Sequence, residues 1–120
     1  MASLLVQITS GPEAPTKAAL GFLIAKTAAE EGHLVHLFLA GDAVQLIRDS
    51  VLDSLVGVGT GKIREHYDAI VATNVNLYLS KISCAARGVT DEEAEIKSAK
   101  KVTPHDVVQL TMDVDKVLAY

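Results

Sequence analysis

The sequence predicts a single α/β domain, residues 1–120, in which helices cover both faces of a mainly parallel sheet. Short, nearly all-apolar runs alternate along the chain with segments of helical spacing. Such alternation indicates βαβ units with right-handed crossovers. The 120 residues suffice for one hydrophobic core. Because only 4% of them are aromatic while 49% are hydrophobic, that core must be mostly aliphatic.

The first half of the chain predicts two strands and two helices. Residues 4–9 form an apolar run that Gly11-Pro12 ends, which is typical of a buried strand. A helix over 15–31 follows, with Gly32 at the C-cap position. Residues 34–39 form a second buried strand. Asp42 is a good N-cap for the next helix, which we expect to continue through residue 51.

The second half predicts two further strands, at 76–80 and 116–120. The Gly-rich segment 57–62 is interpreted as a flexible loop that enters a helix over 63–72. A turn or short helix covers 84–88. Four acidic residues precede the basic stretch 97–101, and we interpret this region as a solvated, charge-mixed face. Thr103 and Pro104 predict the start of a helix that ends near Asp113.

Composition argues against several classes of function. The chain has 11 basic and 15 acidic residues, a net charge of −4, and therefore lacks the clustered positive field that nucleic-acid binding needs. No apolar run approaches the roughly 20 residues that span a membrane. No basic residue precedes the opening apolar run, unlike in a secretory signal, and the one cysteine cannot form an internal disulfide. We therefore expect a cytoplasmic protein.

No motif for a metal or an organic cofactor stands out. In the Gly-rich segment, Val56 and Ile63 occupy positions where a P-loop has glycine and Ser or Thr, and Lys62 replaces the third glycine of a dinucleotide fingerprint. An anion on the N-terminus of the following helix remains an alternative. The four histidines lack the spacing of a zinc motif. We expect neither metal nor cofactor.

Candidate chemistry centres on the carboxyl ends of the strands, where ligands bind in parallel α/β sheets. The loops there cover residues 10–16, 40–43 and 80–88. Cys84 follows the third strand, and Arg87 is close enough on a helical segment to share its face and stabilise a thiolate. The alternative is that Cys84 is a small buried hydrophobe, as lone cysteines usually are.

Four segments of the sequence, in this order along nearly the whole chain, resemble the DsrE/YchN-like family. They are the opening strand with Gly11-Pro12, the run Phe38–Val44, the run Leu79–Val89 with its Arg-Gly pair, and the closing run Asp115–Tyr120. The resemblance implies a three-layer α/β/α sandwich that associates as homotrimers or hexamers. It also implies sulfur-relay chemistry of the DsrEFH/TusBCD type, in which some members carry persulfide sulfur on a cysteine.

The sequence departs from the sulfur-carrying members at the decisive position. The family's cysteine lies seven residues before the Arg of Arg-Gly, and Ser80 occupies that position here. Cys84 lies one helical turn further on. Two functions follow: a sulfurtransferase-like persulfide carrier that uses Cys84, with Arg87 as thiolate stabiliser, or a non-catalytic subunit or small-ligand binding module. In either case we expect the site to include Gly11, Asp42, Ser80 and Gly88, and partners to be copies of this chain and other sulfur-relay proteins.

Overall fold

The computed structural model describes all 120 residues and shows the mixed α/β architecture that the sequence predicts. Six α-helices, one 3-10 helix and seven strands follow one another along the chain. In order, they are β1 (Ser3–Ile8), α1 (Pro15–Glu30), β2 (Leu34–Leu39), the 3-10 helix (Gly41–Ile47), α2 (Asp49–Leu52), β3 (Val56–Gly57), β4 (Gly61–Lys62), α3 (Ile63–Val71), β5 (Asn76–Ser80), α4 (Lys81–Arg87), α5 (Asp91–Ile96), β6 (Lys100–Val102), α6 (Pro104–Asp113) and β7 (Lys116–Ala119).

Five strands form one fully parallel sheet in the order β6-β5-β2-β1-β7. The register aligns Ile8 of β1 with Leu39 of β2, and Leu39 with Leu79 of β5. Three strands therefore end side by side at one edge, and the loops that follow them must meet there. This shared edge is the carboxyl end of the sheet, where ligands bind in parallel α/β proteins.

The two faces of the sheet carry very different amounts of structure. Val6, Leu37 and Leu79 point into a cluster of 20 buried residues, to which the 3-10 helix and helices α1 to α5 contribute. Alternate positions such as Leu5 and Phe38 point to the opposite face, as the strand period of two requires. Only α6 packs there, and it has no fully buried residue. The three-layer prediction is thus confirmed, with one thin layer.

Two segments differ from the sequence-based expectation. The charge-mixed stretch 91–101 contains helix α5, started by a Thr90–Glu93 capping box, and the edge strand β6. Two lysines followed by one valine suit an edge strand, where charge hinders pairing with other chains. The Gly-rich segment is a small antiparallel hairpin, β3–β4, rather than a loop. Its Thr60 hydroxyl donates to the Thr16 carbonyl at 3.1 Å and anchors the hairpin to α1.

The expected α-helix after Asp42 is also wrong in type and cap. A 3-10 helix begins at Gly41, Ala40 is its N-cap residue, and no side chain caps it. Asp42 instead lies in the first turn, where its carboxylate is free to bind elsewhere.

No helix of the chain combines the length and the apolar character needed to cross a membrane.

Candidate functional site

The candidate site lies where β1, β2 and β5 end. Residues 9–14, 40–42 and 81–83 follow these strands, and the segment after β2 separates the other two. Because β2 lies between β1 and β5, the segments that follow β1 and β5 are not direct neighbours. Both nevertheless open onto the same edge of the sheet.

Gly11 makes the closest backbone approach at this edge. A Cβ atom added to Gly11 would lie 2.2 Å from the Asp42 carbonyl oxygen, so no larger residue fits without backbone movement. The Gly11 amide donates to the Glu13 carboxylate, at 2.7 Å to Oε1. The loop after β1 therefore packs closely against the segment after β2, and the Gly11 amide is already hydrogen-bonded to Glu13.

Ser80 and Ser83 connect the β5 end to the same loop. Ser80 is the N-cap of α4, and its hydroxyl accepts from the Ser83 amide at 3.3 Å. The Ser83 hydroxyl in turn accepts from the Gly41 amide at 2.8 Å. Ser80 is itself nearly buried, with 8% of its surface exposed. The two serines thus join the start of α4 to the start of the 3-10 helix.

Arg87 binds across the site to Asp42. Its Nε donates to the Asp42 carboxylate at 2.9 Å, and its Nη1 donates to the Ser83 carbonyl at 3.3 Å. Gly88, which ends α4 in the left-handed conformation with φ 67°, presents its carbonyl to Arg48 at 3.3 Å. The guanidinium of Arg87 therefore links α4 to the 3-10 helix after β2. It is not among the charges that shift the pKa of Cys84.

Cys84 is completely buried, with 0% of its surface exposed, and it belongs to the larger core cluster. Of the two interpretations that the sequence left open, this burial matches the small buried hydrophobe and lacks the exposure that a persulfide carrier would need. Burial raises the pKa of the Cys84 thiol, and the charges of Glu93 and Asp91 raise it further. Lys101 and Arg48 act in the opposite direction but do not overcome the burial. The thiol is therefore protonated at neutral pH.

The structure joins Gly11 and Arg87 to Asp42 by direct contact and links Ser80 to the same region through Ser83. Gly88 lies at the other end of α4, where it contacts Arg48, and Cys84 lies in the core. Sequence reasoning missed Ser83, which bridges two loops, and Glu13, which occupies the Gly11 amide. No local pattern marks the bond to Ser83, because its donor, the Gly41 amide, lies 42 residues away in the sequence. No group of three or more His, Cys, Asp or Glu side chains is placed to hold a metal ion.

These features define a small parallel α/β protein with a hydrogen-bonded site at the carboxyl edge of its sheet. The chain belongs to the DsrE/DsrF-like family, whose model matches residues 2–120. The curated proteins contain no significant match to the sequence.

Two solved structures share the fold. The YchN protein from E. coli is 22% identical over 100% of both chains, with a TM-score of 0.79. A conserved protein of unknown function from Bacteroides thetaiotaomicron is 11% identical with a TM-score of 0.73, and the match covers 99% of this chain and 95% of that one. At these identities the similarity establishes the fold.

Proposed function

We propose that this chain is a non-catalytic subunit of a sulfur-relay-type assembly, which keeps the DsrE-like fold and does not itself carry persulfide sulfur. The burial of Cys84 is the observation that carries this proposal. A persulfide forms when a thiolate attacks a sulfur donor, so the sulfur atom must be both ionised and reachable. Cys84 is neither, since burial raises its pKa and closes it to solvent.

The position that bears the family's sulfur-accepting cysteine supports the same function. Ser80 occupies it, and a serine hydroxyl cannot hold a persulfide. Its oxygen is engaged as the N-cap of α4, which makes the residue structural in this chain.

The surrounding donors are also occupied. Stabilising an anionic sulfur would require free amide or cationic groups beside it. Here the Gly11 amide is bound by Glu13, the Gly41 amide by Ser83, and the Arg87 guanidinium by Asp42. The edge of the sheet is thus closed by the chain's own hydrogen bonds, which favours a structural role over turnover.

The exposed surface of the last two elements, rather than the site, indicates how the chain could associate with partners. Exposed apolar side chains occur on α6 and β7, the last two elements of the chain, at Val108, Met112, Val117 and Leu118. Such side chains are typical of protein interfaces. We propose that they bind copies of this chain in a homotrimer or hexamer, the association that the family resemblance implies, and that other sulfur-relay proteins dock on the assembly.

Mass spectrometry of the native protein after incubation with inorganic polysulfide tests the function. We expect no addition of a sulfur atom to Cys84, whereas the same treatment after unfolding in urea should modify the thiol. A native protein loaded stoichiometrically on Cys84, with loading abolished in Cys84→Ser, would show that the chain is a carrier and would overturn the proposal.

A matched variant tests whether the lack of sulfur chemistry comes from the position of the thiol in the chain or from burial of the whole edge. In Ser80→Cys/Cys84→Ala the single thiol moves to the family's position, where it is the N-cap of α4. We expect this thiol to react with iodoacetamide faster than Cys84 does in the native protein. Equal protection of both positions would show that the whole edge is closed, and that Ser80 is not the reason for the missing chemistry.

A further inference from the structure

A groove lies on the thin face of the sheet, between helix α6 and the strands β5 and β6. It arises because α6 packs over Leu5 and Phe38 and leaves the end of the sheet at β6 only partly covered. Its volume is about 240 Å³. Pockets for drug-sized ligands measure roughly 300–1,000 Å³, so this smaller groove suits a molecule the size of one amino acid.

The sheet side of the groove carries a free lysine. Side chains alternate along a strand, so Lys100 and Val102 of β6 both point toward α6, and Tyr78 of β5 is paired with Lys100 in the register. Hydrogen bonds from Thr103 hold the pKa of Asp106 on α6 below its ordinary value, and the charge of Lys100 contributes to this lowering. Lys100 belongs to none of the chain's ion pairs. Its ammonium is therefore available to a ligand in the groove.

The helix side of the groove carries a free carboxylate. Asp106, Gln109 and Asp113 follow one another at spacings of three and four residues, so they share one flank of α6. Asp106 is already engaged, since its carboxylate accepts from the Thr103 amide at 2.9 Å. Asp113 belongs to no ion pair. It is the last residue of α6, where the helix dipole disfavours a negative charge and favours a cation. The position therefore suits a cationic partner that the chain itself does not supply.

We propose that this groove binds a free amino acid with an apolar side chain, whose carboxylate pairs with Lys100 and whose ammonium pairs with Asp113. The two opposite charges line the same groove without pairing with each other, which leaves one partner for each end of a zwitterion. Between them, Val102, Val107 and Leu110 supply apolar surface for the side chain of the ligand. This site is independent of the proposed function, because it shares no residue with the carboxyl edge or with the exposed apolar residues of α6 and β7.

L-Leucine is a suitable probe, with two controls of similar shape: leucinamide lacks the carboxylate, and 4-methylpentanoate lacks the ammonium. Binding is followed by methyl NMR of the full-length protein. Saturable shifts should centre on Val102, Val107 and Leu110, with leucine binding tighter than either control. Equal or tighter binding of a control, or the absence of saturable shifts with leucine, would overturn the proposal.

Lys100→Gln and Asp113→Asn test the two charges separately, and both side chains are exposed, so the fold should be kept. Lys100→Gln should weaken the binding of leucine and 4-methylpentanoate by roughly two- to fivefold, the range of an exposed ion pair, while leucinamide should bind no less tightly. Asp113→Asn should weaken the binding of leucine and leucinamide to the same extent, while 4-methylpentanoate should bind no less tightly. An unchanged affinity for leucine in both variants would refute the site.

Lys116→Gln and Glu92→Gln are the matched controls, since Lys116 lies on the far edge strand β7 and Glu92 on α5, across the sheet from the groove. Neither should change the affinity for leucine, and a loss equal to that of the groove variants would overturn the proposal. The affinity should also survive Val108→Ser/Met112→Ser, because these exposed side chains lie on the outer side of α6. A loss in that double variant would show that the methyl shifts report a contact between copies, and the ligand site would be refuted.

Discussion

At the scale of the residue, the decisive contrast is between Ser80 and Cys84, one helical turn apart. Ser80 ends a strand at the edge of the sheet, and Cys84 faces the core from α4. A thiol at the first position is at the helix start, where the positive end of the helix dipole favours a thiolate. At position 84 the thiol is buried away from water, which disfavours the thiolate. We therefore expect a thiol placed at position 80 to be more reactive than Cys84, four residues further on.

Arg87→Ala tests whether the arginine acts on the thiol. Arg87 binds Asp42 and is not among the charges that shift the pKa of Cys84. We expect the rate of Cys84 alkylation by iodoacetamide in the native protein to stay the same, while stability falls by about 0.2–1 kcal/mol, as for a partly exposed ion pair. Asp42→Asn is the matched control and should lose a similar amount. A several-fold slower alkylation in Arg87→Ala alone would restore the arginine as thiolate stabiliser.

The raised pKa of Cys84 predicts a dependence of stability on alkaline pH. The unfolded thiol ionises near its ordinary pKa of about 8.5, while the folded protein retains the proton to higher pH. Above that value the unfolded state binds fewer protons, so the free energy of unfolding falls as pH rises, by at most about 1.4 kcal/mol per pH unit. Below it the contribution is fully present.

Urea unfolding at a series of pH values from about 8 to 10, bracketing the thiol pKa, measures this effect. Cys84→Ala should be less sensitive to pH over that window, apart from a constant offset in stability. Parallel curves for the two proteins would show that the thiol ionises equally easily in the folded and unfolded states.

At the scale of the element, the long apolar strands were predictable because their pattern is local. β2 and β5 have the bounds that the sequence predicted, and β1 differs by one residue at each end. Helix α6 was equally predictable from the sequence, since the residues that start it, Thr103, Pro104 and Asp106, lie within four consecutive positions. Burial on two faces and capping chemistry both leave a signature in the immediate sequence.

The missed elements depend on partners that are distant in sequence. Strand β6 has only three residues, two of them lysines, and is a strand only because β5 offers a free edge. The hairpin β3–β4 is held by Thr16 from α1, over 40 residues earlier in the chain. The sequence left the burial of Cys84 open for the same reason: its cluster includes Val89 and Ala94 of α5, and α5 was not predicted.

Helix α6 should be the least protected long helix of the fold, since it packs alone on its face and has no fully buried residue. Its capping box therefore matters. In Thr103→Ala the Asp106 amide loses its acceptor, which typically costs about 1 kcal/mol. We expect amide hydrogen exchange in α6 to accelerate roughly fivefold, with α1 unchanged.

Thr111→Ala is the control for this prediction, because Thr111 lies within the same helix and alanine is the better helix former. Exchange in α6 should then be unchanged or slower. Equal acceleration across α1 and α6 in Thr103→Ala would contradict the prediction, because it would show that α6 opens only when the whole domain unfolds.

At the scale of the whole molecule, the two faces of the sheet are unequal. One face carries all helices except α6, while the other exposes part of its apolar surface beside a single helix. On α6, Val108 and Met112 lie four residues apart and are 57% and 77% exposed. Strand β7 adds an unpaired edge next to this helix in the chain, with Val117 and Leu118 partly exposed. Edge strands and apolar helix faces of this kind usually become covered.

The double variant Val108→Ser/Met112→Ser tests whether copies of this chain cover the exposed apolar face of α6. Both side chains are largely exposed, so their replacement should leave the fold of a single copy intact. We expect light scattering at micromolar concentration to show a trimer or hexamer for the original sequence and a smaller species for the variant. Val58→Ser is the control, because Val58 is 86% exposed on the β3–β4 hairpin and should not alter the mass. A monomer before any substitution would refute the assembly, and an unchanged oligomer in the double variant would exclude this face of α6 as its interface.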